Sequence, residues 1–336
     1  MSPELSIVIL TCDSVGIVER LVEALLAQED PPSYEVLFMD NASADGTVEY
    51  LESLPIADKR IVHVPKGEFS HSGTRMRATE LARGRVMVFF VDDIVPIGRR
   101  FLRDLTEPVL SGDFPAAYGV FQIHPEEHDP IDAYLHNLWF ENLETPVGPV
   151  SEFAWRWLPG AARRQICNFD NCSSVIERSL LLEVRFPDVN YGEDMTLAKR
   201  LLWRGERILM VKTARFYHWH RSSFGYVLKR MCIDSDLTRR EFDHRIVKRK
   251  LGVVRAIAVR VLHRTWVGLA KLRIPLRQRL YWIAYNAKVL TADFIGKYIG
   301  NLRTDEVGRF SPIDRRLLRV KQRILGEVEA KSVKRY

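Results

Sequence analysis

Residues 86–96 read Val-Met-Val-Phe-Phe-Val-Asp-Asp-Ile-Val-Pro, six apolar residues running directly into two adjacent carboxylates, Asp92 and Asp93. A short unbroken apolar run is the pattern of a strand buried on both faces. Pro96 has no amide hydrogen to give a sheet ladder and is expected to stop the strand. Asp92 and Asp93 are therefore expected at the carboxyl end of a central parallel strand, the edge where open α/β sheets bind ligands. Adjacent carboxylates repel, and burial makes the repulsion worse. A divalent cation relieves it, and carboxylates together with phosphate oxygens suit Mg2+ or Mn2+. Taken alone, the stretch also fits an exposed turn with two solvated acids.

Upstream, Leu5–Leu10, Glu35–Met39 and Ile61–Val64 read as further strands, separated by helical patterns over 16–28, 48–54 and 70–83, the last capped by Ser72 or Thr74. Strands alternating with helices of this length predict an α/β fold, a mostly parallel sheet flanked by helices. Right-handed crossovers then collect the strand ends on one edge. That edge gathers Thr11, Asp13, Asp40, Asn41, Asp92 and Asp93. A carboxylate after the second strand can accept from a base N–H or a ribose hydroxyl. We read Asp40 in that role, and Asn41 and Asp45 as turn formers. No glycine-rich phosphate loop occurs, so a metal would have to carry the charge of a bound diphosphate. Arg75, at the start of the helix over 70–83, is expected to pair with the diphosphate or to steady the acidic cluster.

The net charge of +7 conceals an asymmetry: residues 1–220 carry 22 Lys/Arg against 33 Asp/Glu, and residues 221–336 carry 28 against 10. An acidic front and a basic tail point to a second task involving a polyanion or an anionic membrane. We expect two regions, an α/β domain over 1–245 and a basic helical region over 246–336 serving membrane association or oligomerisation. The four cysteines, Cys12, Cys167, Cys172 and Cys232, show no metal-binding spacing and are expected as free thiols in a reducing cytosol. Neither a leader peptide nor an uncharged apolar stretch of about 18 residues is evident, so a cytoplasmic protein is expected.

Downstream, Trp139, Phe140, Trp155 and Trp157 read as core, and His124, His128 and His136 as structural. Gly192-Glu193-Asp194 precedes a helical stripe of Met195, Leu197, Ala198, Leu201 and Leu202, so both acids stand at a helix N-terminus, where the macrodipole favours them. His218-Trp219-His220 follows a strand; on extended backbone both imidazoles point the same way, which suits a metal or a diphosphate. Leu251, Val254, Ala258, Val261, Leu262, Trp266 and Leu269 recur at helical spacing among Arg255, Arg260 and Arg264. Such basic amphipathic helices suit a membrane surface, or pack on the core with a solvated basic face.

Three stretches together, Ser6–Thr11, Met39–Thr47 and Asp92–Pro96, resemble the inverting, GT-A (Rossmann-like) fold family 2 glycosyltransferases, and Phe69–Arg75 is similar to rhamnosyltransferase-like members; the likeness extends over roughly residues 4–245. The resemblance implies a hexosyltransferase using a nucleotide-sugar, a dTDP- or UDP-sugar, with Mg2+ or Mn2+, and a glycan or lipid-linked glycan acceptor at the cytoplasmic face of a membrane. It implies Asp40 at the donor's base and Asp93, with His218 and His220, at the metal; from their place at the edge, Thr11, Asp13, Arg75 and Asp92 are expected at the donor as well. Asp194 would be the base that takes the acceptor's proton, with Glu193 orienting the acceptor. Val91 stands where the family usually has the first Asp of its metal motif, a departure that leaves only Asp92 to partner Asp93. Two rival readings are another metal-dependent nucleotide enzyme, such as a nucleotidyltransferase, and a membrane- or nucleic-acid-binding protein on an inactive scaffold. Nucleic acid is not expected, because no binding motif accompanies the charge.

Overall fold

A computed structural model describes residues 2–141, 147–189 and 191–331. Residues 332–336 of the expected basic region and the Phe140 side chain lie outside the described part. The chain opens with β1 (Leu5–Thr11), α1 (Val15–Leu26), β2 (Tyr34–Asp40), α2 (Thr47–Ser53), β3 (Lys59–His63), α3 (His71–Leu81) and β4 (Val86–Val91). It continues through β5 (Val95–Pro96), α4 (Phe101–Leu110), β6 (Ala116–Gln122), α5 (Pro130–Glu141), α6 (Glu152–Trp157) and α7 (Gly160–Ile166). Next come β7 (Ser173–Glu177), α8 (Arg178–Val184), α9 (Glu193–Arg204), β8 (Ile208–Tyr217) and α10 (Phe224–Phe242). The C-terminal part holds α11 (Lys250–Ala270), α12 (Leu276–Gly300), a short 3-10 turn (Thr304–Arg309) and α13 (Pro312–Lys331).

The eight strands form one sheet in the order β3-β2-β1-β4-β7-β6-β8-β5. β3, β2, β1 and β4 are mutually parallel, and β6 and β8 are parallel to each other. β7 runs antiparallel between β4 and β6, and β5 antiparallel on β8. Successive residues of a strand face opposite sides. Val8, Leu10, Leu37, Met39 and Phe89 enter one apolar layer, while Ile7, Ile9, Val36, Phe38, Val88 and Phe90 enter the other. Both faces are covered, which is why these strands read as unbroken apolar runs. The register pairs Thr11 with Asp40 and Leu10 with Val91, so the three acidic turns leave the sheet at one level.

Some local expectations change. Ser70, not Ser72 or Thr74, caps α3, accepting from Gly73 N–H at 3.0 Å. Pro96 does not leave the sheet: it sits in the two-residue edge strand β5, where no ladder hydrogen is needed. Trp155 is core, but Trp157, two residues and about half a turn further along α6, is 77% exposed, and Trp139 is also exposed.

α10 packs on α12 with very little between their backbones. A Cβ at Gly296 would lie 2.5 Å from the Leu228 carbonyl oxygen, and one at Gly300 would lie 2.3 Å from that of Cys232. Gly300→Ala should therefore force the two helices apart and cost about 1–3 kcal/mol, read as a lower urea midpoint. The expected boundary at 245 falls between α10 and the helices it packs against.

Candidate active site

Asp93 stands in the turn between β4 and β5. β5 pairs Val95 with Tyr217 and Pro96 with Phe216, and that register carries Asp93 across to the residues that follow β8. His218 is fixed there by its own N–H, which donates to the Gln122 carbonyl at 3.0 Å. His220 Nε2 lies 2.7 Å from Asp93 Oδ2, and His218 Nε2 lies 3.4 Å from Oδ1. Among the described residues these three side chains offer ligand atoms that all fall within 4.8 Å of one another. Asp93 Oδ1 is buried and has no hydrogen-bond partner. An orphaned carboxylate oxygen beside two imidazoles fits a cation, because buried polar atoms are otherwise satisfied. Burial pushes the Asp93 carboxyl up, but the two imidazoles outweigh it and hold the group below the usual carboxylate range. Its neighbour Asp92 faces Ser14 and the Cys12 backbone and is pushed up to about 6, by burial first and by Asp93 second.

Gly192 forms the N-cap of α9 with φ of 73°, and a Cβ there would meet Leu237 Cδ2 at 2.2 Å. The positive φ calls for glycine, and a Cβ would also have to displace the Leu237 side chain of α10. The glycine lets Glu193 and Asp194 open the helix. Glu193 Oε1 accepts from Arg75 Nη1 at 2.8 Å, and Arg75 is 2% exposed. Burial pushes the Glu193 carboxyl up, but Arg75 and then His71 outweigh it and hold it low. Asp194 Oδ1 accepts from the Met195 N–H at 2.7 Å. Burial, then repulsion from Glu193, pushes the Asp194 carboxyl up to about 7.

The 170–172 turn lies between the two clusters. The Cys172 carbonyl accepts from Val91 N–H at 3.2 Å, and the Asn171 carbonyl from Arg75 Nη2 at 3.4 Å. Cys172 feels Asp170, Asp93 and Arg75 together, and Asp194 feels Asp170. The metal-type cluster and the raised carboxyl are therefore neighbours on one rim.

Three expected donor contacts are turned elsewhere. Arg75 is spent on Glu193, so it steadies the α9 acids and does not reach into the cleft. Asp40 is fully buried and accepts from Thr11 Oγ1 at 3.2 Å, Ser43 Oγ at 2.5 Å and Ser43 N–H at 3.1 Å. Asp40 and Thr11 thus tie the ends of β2 and β1 together, closer to a turn-forming role than to base recognition. Asp13 is the exposed acid of this corner; its Oδ1 accepts from Ala44 N–H at 2.8 Å. Asp13 and Ala42 both hold positive φ, 48° and 49°, a strained conformation typical of binding loops. Asp45, read as a turn former, accepts from Thr47 N–H and Val15 N–H. Sequence reasoning passed over Arg230 on α10, whose guanidinium lies 5.4 Å from the Tyr191 ring centre and acts electrostatically on both His71 and His220. No motif marks it, since it reaches the site only through the packing of α10.

Arg75→Met should cost about 3 kcal/mol at neutral pH, since it leaves the Glu193 carboxylate buried without its partner. The folded Glu193 pKa lies below its unfolded value, so the pair's contribution is present above about pH 4.3 and is lost as pH falls through the folded value. Urea titrations of wild type and variant should converge in acid.

Residues 6–164 match the family model described as Glycosyl transferase family 2. Among solved structures, the chain is similar to the mannosyltransferase PcManGT from Pyrobaculum calidifontis in complex with GDP-Man and Mn2+, at 16% identity and a TM-score of 0.49, covering 99% of this chain and 88% of that one. It is also similar to S. aureus TarS 1-349, at 14% identity and a TM-score of 0.50, covering 91% of each chain. The same TarS segment in complex with UDP-GlcNAc aligns at 14% identity with a TM-score of 0.49, covering 91% and 92%. The TarS alignment speaks to the fold alone. No curated protein matches.

Proposed function

Because residues 6–164 match the model of the family 2 glycosyltransferases, we propose that this chain acts as one of them, transferring a sugar from a nucleoside-diphosphate donor to a hydroxyl group with inversion at the anomeric carbon. The observation that carries this reading is the pairing, on one rim, of the Asp93–His218–His220 cluster with a carboxyl held near neutrality, Asp194. A group titrating close to working pH is suited to accept a proton and to release it afterwards. Asp194 takes the acceptor's proton as its oxygen attacks the sugar. Glu193, locked by Arg75, orients the acceptor and keeps Asp194 basic through its own charge. Arg230, on the open side of the cleft, pairs with the donor's phosphates.

Asp93, His218 and His220 would hold a divalent cation. When bound, it would neutralise the charge that builds on the departing diphosphate. Two imidazole nitrogens beside one carboxylate suit Mn2+ better than Mg2+, which prefers an all-oxygen shell. A UDP- or dTDP-sugar as donor, and a glycan or lipid-linked glycan as acceptor, complete the reading.

A thermal-shift screen of nucleotide-sugars, with and without Mn2+, tests it. The correct donor at about a hundredfold over its Kd should add roughly 2.7 kcal/mol of stability, several degrees in Tm, and only with the metal present. Equal shifts in the presence of EDTA would remove the metal from the reading. Shifts by nucleoside triphosphates alone would favour nucleotidyl transfer.

A further inference from the structure

α11 has one face that nothing covers among the described residues. Its buried residues, Val253, Val267 and Gly268, turn toward the rest of the protein. On the other side stand Leu251, Val254, Val259, Leu262, Trp266 and Leu269, all exposed, with Leu251 at 79%, Leu262 at 69% and Trp266 at 52%. At 3.6 residues per turn they fall within an arc of roughly 140°. Leu276, Leu280 and Tyr281 at the start of α12 are exposed as well. Contiguous exposed apolar side chains of this number mark an interaction surface.

The charge around the face identifies its partner. Residues 244–292 hold twelve Lys and Arg and no Asp or Glu. Arg255 on this face, and Arg273 and Arg277 beyond its end, are exposed and form no ion pair among the described residues. Lys271 lies 5.1 Å from the Trp266 ring centre. A second copy of so basic a face would be repelled. Apolar residues with an indole among them, flanked by unpaired cations, suit a plane that is apolar beneath and anionic on top. No helix of the described residues is long and apolar enough to cross a membrane. We infer that the open face of α11, continued by the start of α12, lies in the interface of an anionic lipid bilayer without spanning it.

The same helices reach the rim. The Ser222 N–H donates to Tyr285 Oη of α12 at 2.9 Å, and Trp219, between His218 and His220, packs against Tyr285 and Trp282. α12 thus ties the helical region to the segment that carries the metal-type cluster.

Cosedimentation of the full chain with vesicles tests the inference. Neither donor nor acceptor is present, so failure of the glycosyl-transfer reading would leave the result unchanged. Binding should be strong to phosphatidylcholine vesicles containing phosphatidylglycerol, at least about tenfold weaker to pure phosphatidylcholine, and weakened by salt. The double substitution Leu262→Gln with Trp266→Gln alters only exposed side chains and keeps the charge. It should cut binding at least about tenfold with the Tm unchanged. Arg273→Gln with Arg277→Gln should cut binding mainly at low salt. No binding to the anionic vesicles, or full binding by the Leu262 and Trp266 variant, would overturn the inference. So would a wild-type dimer, absent in that variant, which would mark the face as a protein interface. Binding to a nucleic-acid duplex but not to vesicles would assign the charge to a different polyanion.

Discussion

Asp93→Asn is expected to abolish metal-dependent donor binding and to lower glycosyl transfer by a thousandfold or more. Asn keeps the shape of the side chain but removes the one negative charge of the Asp93–His218–His220 group. Two imidazoles and a neutral amide bind a hard or borderline cation poorly, and a factor of a thousand corresponds to only about 4 kcal/mol of lost stabilisation. The effect should not arise from unfolding. Asn leaves no buried charge behind, and His220, the nearer partner, is more than half exposed and can turn to water. Calorimetric titration with Mn2+ and donor, beside a thermal melt, separates the two. Unchanged affinity for both ligands would remove Asp93 from the metal site.

Asp194→Asn should behave differently. Donor binding should survive, while turnover drops by about a hundredfold to ten-thousandfold, the usual worth of a positioned base. The wild-type kcat should rise with pH through about 7 as the Asp194 carboxyl ionises, and the variant should lose that limb. Stability gives a second, opposite readout. The folded pKa of Asp194 lies above the unfolded value of about 3.9, so folding disfavours the charged form, and the penalty grows as pH rises from about 4 to about 7. The variant should therefore gain stability relative to wild type at pH 8 and not at pH 3. A variant that is inactive but more stable is hard to explain by misfolding. Near-normal turnover would place the base elsewhere.

The central strands were legible because each is an apolar run too short for a helix, and α9 because Met195, Leu197, Ala198, Leu201 and Leu202 recur at helical spacing. β5 was not, because two residues ending in proline carry no strand signal and exist only by pairing with β8. β7 begins only at Ser173, because Asp170 Oδ1 accepts from the Cys172 N–H and bends the chain there. The histidine pair and the Gly-Glu-Asp turn were readable as local patterns. What they face was not. Arg75 and Glu193 are 118 residues apart, and nothing near either one announces the other. Asp40 stands at the expected strand end, but its hydrogen bonds to Thr11 and Ser43 carry no signal in the sequence.

The link from Tyr285 to Ser222 bears on how this chain is handled in the laboratory. Trimming it at residue 245 to obtain a smaller catalytic piece would strip α12 from α10, leaving Cys232 and Ile233 bare to solvent. It would also release the backbone just past His220 from its anchor. A shortened protein that aggregates, or that stays in solution yet lacks the Mn2+ affinity proposed for the full chain, would owe both faults to the missing helices and not to any damage within the sheet.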